Sequence, residues 1–265
     1  MGFFRIQRGV SLKSLALSRI TFLQNRIYWA NHVVNSIGSF LFGYITSSIW
    51  KALLKDPTEA SQMVTYVLVN QAILWVTTFL PKGAFIPSKI RSGNIVFDLI
   101  RPSGLLFLSF WQVAGAAFYN FLYRSVPIFL FSYLLIGLEF PALSCVFPFF
   151  VSVLLAFIIA FFINYGIGLW AMAFLDDTAG RNLYFFLTSF FSGYYLPAEY
   201  YPGVLKAIVP LTPFACTNYI PVQIYLGKIS LLRGFSLQLF WVAALFGLCT
   251  LLTRYLLKKT VIQGG

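Results

Sequence analysis

The chain has 265 residues, of which 59% are hydrophobic and only 10% charged, with a formal net charge of +12. So large an apolar share excludes a soluble globular domain and places the chain in a bilayer. The polar stretches are too short to hold a catalytic domain. The basic residues lie scattered between apolar runs, which excludes the folded basic patch of a nucleic-acid binder.

In chain order, residues 1–26 read as an amphipathic interfacial helix. At about 100° per residue Phe3, Ile6, Val10, Leu17 and Ile20 share one sector and Arg5, Arg8 and Arg19 another. A first span is expected over 27–49 and a second over 63–80, ending at Pro81. The charged segment 82–104 follows. The apolar run 105–137 is about 50 Å long as a helix, too long for a core of about 30 Å. Arg124 and Pro127 therefore predict an irregularity, with a surface portion leading into a third span near 116–137.

A fourth span is expected over 148–174 and a fifth over 178–196. Residues 197–230 are broken by Pro197, Pro202, Pro210, Pro213 and Pro221, and read as short re-entrant helices dipping in from one face. A sixth span over 235–257 completes a single transmembrane domain of residues 1–265. The expected fold is an all-α integral membrane protein with six transmembrane helices.

Thirteen basic residues fall on one side: Arg5, Arg8, Lys13, Arg19, Arg26, Lys82, Lys89, Arg91, Arg101, Arg181, Arg254, Lys258 and Lys259. Five fall on the other, namely Lys51, Lys55, Lys206, Lys228 and Arg233, with Arg124 inside a span. The richer side is expected to be cytoplasmic, with both termini and 82–104 inside and 197–230 outside a bacterial-type cytoplasmic membrane.

Catalytic residues are not expected, because the chain carries no HExxH or GxSxG motif and no paired carboxylates suited to acid–base work. No metal site is expected either: Cys145, Cys216 and Cys249 lack CxxC spacing, although Cys145 and Cys216 can pair if both lie outside. His32 has no carboxylate near it in the chain and reads as packed or interfacial. Asp176 and Asp177 read as helix-capping, with Asp177 spaced to meet Arg181. The phosphate-cradling loop GxxxxGK[ST] is absent, so any ATP chemistry must belong to another chain.

Polar residues inside spans form a candidate translocation path: Asn31, Asn35 and Ser39 in the first, Asn70 and Gln71 in the second, and Arg124. The same residues can serve as helix-to-helix hydrogen bonds, and Arg124 can snorkel, meet an acidic neighbour or attract an anionic headgroup.

The order of elements, with "SGNIVFDLIRPSG" and "FFSGYYLPAEYYPGVLKAIVPLTPF", resembles the membrane subunits of type-2 ABC exporters. The first stretch is similar to a segment G-x-I-x-x-x-L-x-R-P-[LS] of one branch, matched by Gly93, Ile95, Leu99, Arg101 and Pro102. The second matches the exit from the fifth span through Ser192-Gly193, Pro197, Pro202 and Pro210. The resemblance implies a permease that moves a hydrophobic or amphipathic substrate. Its partners would be a second permease, identical or paralogous, and two cytoplasmic ATPase subunits that bind ATP and Mg; this chain would hold no cofactor.

By the same resemblance 82–104 is a coupling helix. Ile95, Phe97 and Leu99 would pack into an ATPase groove, Asp98 and Arg101 would pair with the ATPase or with each other, and Pro102 would stop the helix. The competing expectations are an ATP-independent secondary carrier or channel, which needs intramembrane charge relays, and a lipid-modifying enzyme, which needs a constellation not found here.

Overall fold

In the computed structural model the backbone is described for residues 2–259 and the side chains for 14–258. The described residues are helical, with no strand. The long helices are α1 (Gly2–Ile27), α2 (Trp29–Leu53) and α3 (Pro57–Thr77). Two short helices, α4 (Ile86–Arg91) and α5 (Ile95–Leu99), precede α6 (Leu105–Asn120), α7 (Val126–Leu135), α8 (Leu143–Phe174) and α9 (Thr178–Phe191). The chain closes with the short α10 (Leu205–Ile208) and α11 (Tyr219–Tyr225) and the long α12 (Leu231–Lys259).

Among the described residues four helical stretches are long and apolar enough to cross a membrane: Pro57–Arg91, Leu105–Leu135, Leu143–Phe174 and Leu231–Lys258. α2 and α9 stand where the first and fifth spans were expected. At 25 residues α2 is about 37 Å long. α9 has 14 residues and reaches only about 21 Å, short of the hydrocarbon thickness, and the turn after it carries the chain onward.

α8 is the central mast, with Phe161 and Tyr165 fully buried. Because lipid tails are as apolar as leucine, apolar burial alone gives helices little reason to associate, and hydrogen bonds between them supply specificity. α8 and α12 are joined in this way: Tyr165 Oη lies 2.9 Å from Thr253 Oγ1. Gln238, with no exposed surface, donates from Nε2 to the carbonyls of Ser152 and Cys216 at 3.0 Å and accepts from Ser152 Oγ at 3.0 Å.

Leu105–Leu135 is one continuous helical stretch. A π turn over Phe121–Ser125 joins α6 to α7, and Pro127 falls in the first turn of α7. The wider turn absorbs the hydrogen bond that proline cannot make, so the irregularity expected near Arg124 exists but does not break the helix.

α1 lays one face against α6. Its inward face is built from Ser14, Ser18, Thr21 and Phe22, while Ile20 points outward. Ser18 Oγ donates to the Trp111 carbonyl at 2.6 Å, and Phe22 meets Phe118 and Tyr119 of α6. Small hydroxyl residues permit this close packing, whereas Leu15, Ile20 and Leu23 are left exposed on the other side. The side chains of Phe3, Arg5, Ile6, Arg8 and Val10 lie outside the described residues.

Residues 192–230 pack deeply into the protein. Asn218, wholly buried, accepts from Thr77 Oγ1 at 2.6 Å near the far end of α3, and every residue of α11 is buried. Such irregular backbone at depth is tolerated because its polar groups are met by protein. Cys145, Cys216 and Cys249 are free thiols, so the pairing considered for Cys145 and Cys216 is not made.

Candidate functional site

The segment 82–104 begins with three successive left-handed residues, Gly83, Ala84 and Phe85, which reverse the chain after α3. The reversal lies directly on α8. A Cβ at Gly168 would come 2.5 Å from the Gly83 carbonyl oxygen, so only glycine admits this backbone contact. Ile86 then plugs the core beneath α4 with no exposed surface. A positive-φ turn at Gly93 sends the chain back as α5.

Charges lock this hairpin of short helices. Lys89 Nζ contacts the Asp98 carboxylate and also donates to Gln112 Oε1 of α6. Arg101 approaches the other Asp98 oxygen at 3.6 Å from a half-exposed position. Asp98 itself is 5% exposed. A second centre is Asp177, buried at the head of α9, with Arg91 of α4 and Arg181 of α9 each at 3.2 Å. Arg91 makes an aligned hydrogen bond, whereas Arg181 makes a charge contact only. Asp176 caps α9 by accepting from the Thr178 N–H at 3.0 Å and its hydroxyl at 2.8 Å. These bonds, led by the backbone N–H, hold the Asp176 carboxyl below its usual value.

This geometry redistributes the roles expected for the segment. Asp98 faces inward to Lys89, a partner nine residues away that sequence spacing did not single out. Ile95 and Leu99 are half-buried and pack against this chain's own core. Phe97 and Ile100 are 60% and 71% exposed, and Arg91, Gly93, Arg101 and Pro102 are exposed beside them. The outward face is therefore an apolar pair bordered by guanidinium groups.

The candidate path residues do not converge. Asn31 and Asn35 lie exposed on α2 and bond to each other at 3.4 Å. Ser39 accepts from Trp75 Nε1 at 3.0 Å. Asn70, 1% exposed, donates to the carbonyls of Gly193 and Tyr194 at 3.0 and 3.3 Å, and Gln71 is buried against Gly43. These contacts fasten α3 to α2 and to the turn after α9. Gly193 has φ +82°, and a Cβ there would lie 2.5 Å from Tyr66 Oη, whose hydroxyl donates to the Gly193 carbonyl at 2.8 Å.

Among the described residues Arg124 meets no carboxylate. It is 6% exposed, with its Cζ 3.8 Å above the Trp75 ring and Nη2 directed at His32 Nδ1. His32 Nε2 lies 2.8 Å from the Asn25 carbonyl, which fixes the neutral tautomer with its proton on Nε2. A cavity of about 600 Å³ between the end of α3, α8 and α9 has different walls, among them Lys82, Asn164, Arg181, Thr188, Ser189 and Tyr194. Asn164 and Tyr184, absent from the expected set, bridge that wall: Asn164 Nδ2 approaches Tyr184 Oη at 3.3 Å, and Tyr184 donates to the Thr78 carbonyl at 3.0 Å.

Continuous apolar helices, polar side chains turned inward and exposed apolar flanks define a multi-pass membrane protein. The profile of the ABC-2 family transporter proteins matches residues 58–264, and the chain belongs to that family, as the membrane permease of an ABC transporter. A search of curated proteins gives no match.

Proposed function

We propose that this chain is the permease subunit of an ATP-driven exporter of hydrophobic or amphipathic substrates, with ATP and Mg bound by two separate cytoplasmic ATPase subunits. A second permease, identical or paralogous, completes the assembly. α2, and α9 with its exit turn, make the remaining two of six crossings. The excess of Lys and Arg on the side of 82–104 supports a cytoplasmic location for that end and both termini.

The observation that carries the reading is the form of 82–104 in a chain of this family. Its charged groups are largely spent inside the molecule, while Phe97 and Ile100 stand out from a braced platform. Burying an aromatic and an aliphatic side chain in a partner's groove contributes on the order of 1.5–3 kcal/mol each. A platform fixed to α6, α8 and α9 then passes the partner's movement into the spans. The secondary-carrier reading needs a charge relay, and Arg124 is held by His32 and Trp75 instead.

The test is purification from native membranes in mild detergent, comparing the native chain with Phe97→Asp/Ile100→Asp. We expect an ATP-binding subunit in fixed stoichiometry with the native chain, and its loss with the double variant at unchanged thermal stability. A homo-oligomer that transports in liposomes without ATP would overturn the reading.

A further inference from the structure

The end of the molecule opposite 82–104 contains a cavity of about 660 Å³, within the range of small-ligand sites. Glu59 comes from α3, Glu199 from the turn after α9, Lys228 from the link after α11 and Arg233 from α12, and all four line this cavity. Among the described residues none of these four charges forms an ion pair with another. That contrasts with Asp98 and Asp177, each of which is met by cations of the chain itself.

The carboxylates are oriented by hydrogen bonds. Glu199 Oε1 accepts from Tyr219 Oη at 3.0 Å and from Gln223 Nε2 at 2.6 Å, and Glu59 Oε1 accepts from Tyr200 Oη at 3.2 Å. Among the described residues no donor reaches Glu199 Oε2. Met63, Ile220 and Leu237 add an apolar flank.

We infer that this cavity binds a zwitterionic head, with an ammonium group against Glu59 and Glu199 and a phosphate or carboxylate against Lys228 and Arg233. A simple cation would face two basic side chains, and a simple anion two carboxylates. A ligand bearing both signs complements both pairs of these solvent-exposed side chains without setting either pair against its own charge. The tyrosine rings beside the carboxylates suit an ammonium group, and the apolar flank suits the first carbons of an attached chain. The same head occurs on a lipid or on a free soluble compound. The site stands independently of coupling to an ATPase, and its test requires none, so its failure would leave the permease reading intact.

The test uses the full chain in nanodiscs of phosphatidylglycerol, which offers no competing zwitterion, with calorimetric titration. The probes are glycerophosphoethanolamine, its short-chain lyso-lipid, and the N-acetylated form of that lyso-lipid. Saturable binding of an amine-bearing probe is expected, with at least tenfold loss on N-acetylation. Glu199→Gln should weaken the amine probe about tenfold and leave the N-acetylated probe unchanged. Tighter binding of the lyso-lipid than of the tail-free head would assign a lipid source, and equal binding a soluble one.

Lys228→Met guards against a folding artefact, because no internal side-chain bond depends on that lysine among the described residues, and it too should weaken the amine probe about tenfold. Three results would each overturn the site: no saturable binding of either amine probe, equal affinity for the N-acetylated form, or native affinity in Lys228→Met.

Discussion

The two ends of the molecule use charge in opposite ways. At 82–104 the acidic groups are enclosed and paired, with Lys89 and Arg101 on Asp98 and Arg91 and Arg181 on Asp177. Around 199–233 the acids and bases face one cavity without pairing among the described residues. The acids near 82–104 are enclosed by cations of the chain itself, whereas the charges around 199–233 are exposed to solvent and stay open to a ligand.

The largest effect expected from breaking this contrast is at Asp98. Asp98→Ala leaves the Lys89 ammonium without its carboxylate in a largely enclosed position, at a cost of about 3 kcal/mol. Hydrogen exchange over 86–100 should accelerate strongly, with little change near 199–233. Loss of transport in this variant would therefore report a collapsed platform, and it cannot by itself identify a residue that touches a partner.

Next is Gly193→Ala. A Cβ there meets Tyr66 Oη at 2.5 Å in a left-handed backbone, so about 1–3 kcal/mol of strain or lost hydrogen bonding is expected. Thermal unfolding should move down, and Tyr66→Phe in the same chain should recover part of the loss by removing the clashing oxygen. Ser152→Ala removes one hydrogen bond to buried Gln238 while leaving two others, and should cost about 1 kcal/mol by the same measurement.

The smallest effect is at Asp176. Its carboxyl is held below the usual carboxylate value by the Thr178 N–H and hydroxyl, so its contribution is present above the unfolded-state pKa of about 4 and is lost as pH falls through the folded value. Amide exchange in the first turn of α9 should rise modestly on acidification below about pH 4. Asp176→Asn should remove that dependence.

Much of this architecture was legible from local pattern. The apolar runs placed the long helices, Arg124 and Pro127 marked the π turn, and the spacing of Asp177 and Arg181 predicted their contact. What the pattern could not carry was pairing across turns and between distant helices. Lys89 meets Asp98 only because Gly93 folds α5 back beside α4, and His32 meets Arg124 across 92 residues of chain. Asn70 looked the same whether it lined a path or fastened a turn, because a polar side chain in a span does not reveal which helix stands opposite. Within the stretch 178–196, expected as a span, the helix ends at Phe191: aromatic residues continue past it, but Gly193 turns the chain there.

The central claim is that Phe97 and Ile100, and not the enclosed charges or Ile95, are the surface gripped by an ATPase. Site-specific photocrosslinking in native membranes tests it most directly, with a photoreactive side chain placed in turn at positions 95, 97 and 100. The account predicts adducts to an ATP-binding subunit from positions 97 and 100 and none from 95. Adducts from 95 alone, or from none of the three while ATP-driven transport persists, would contradict it.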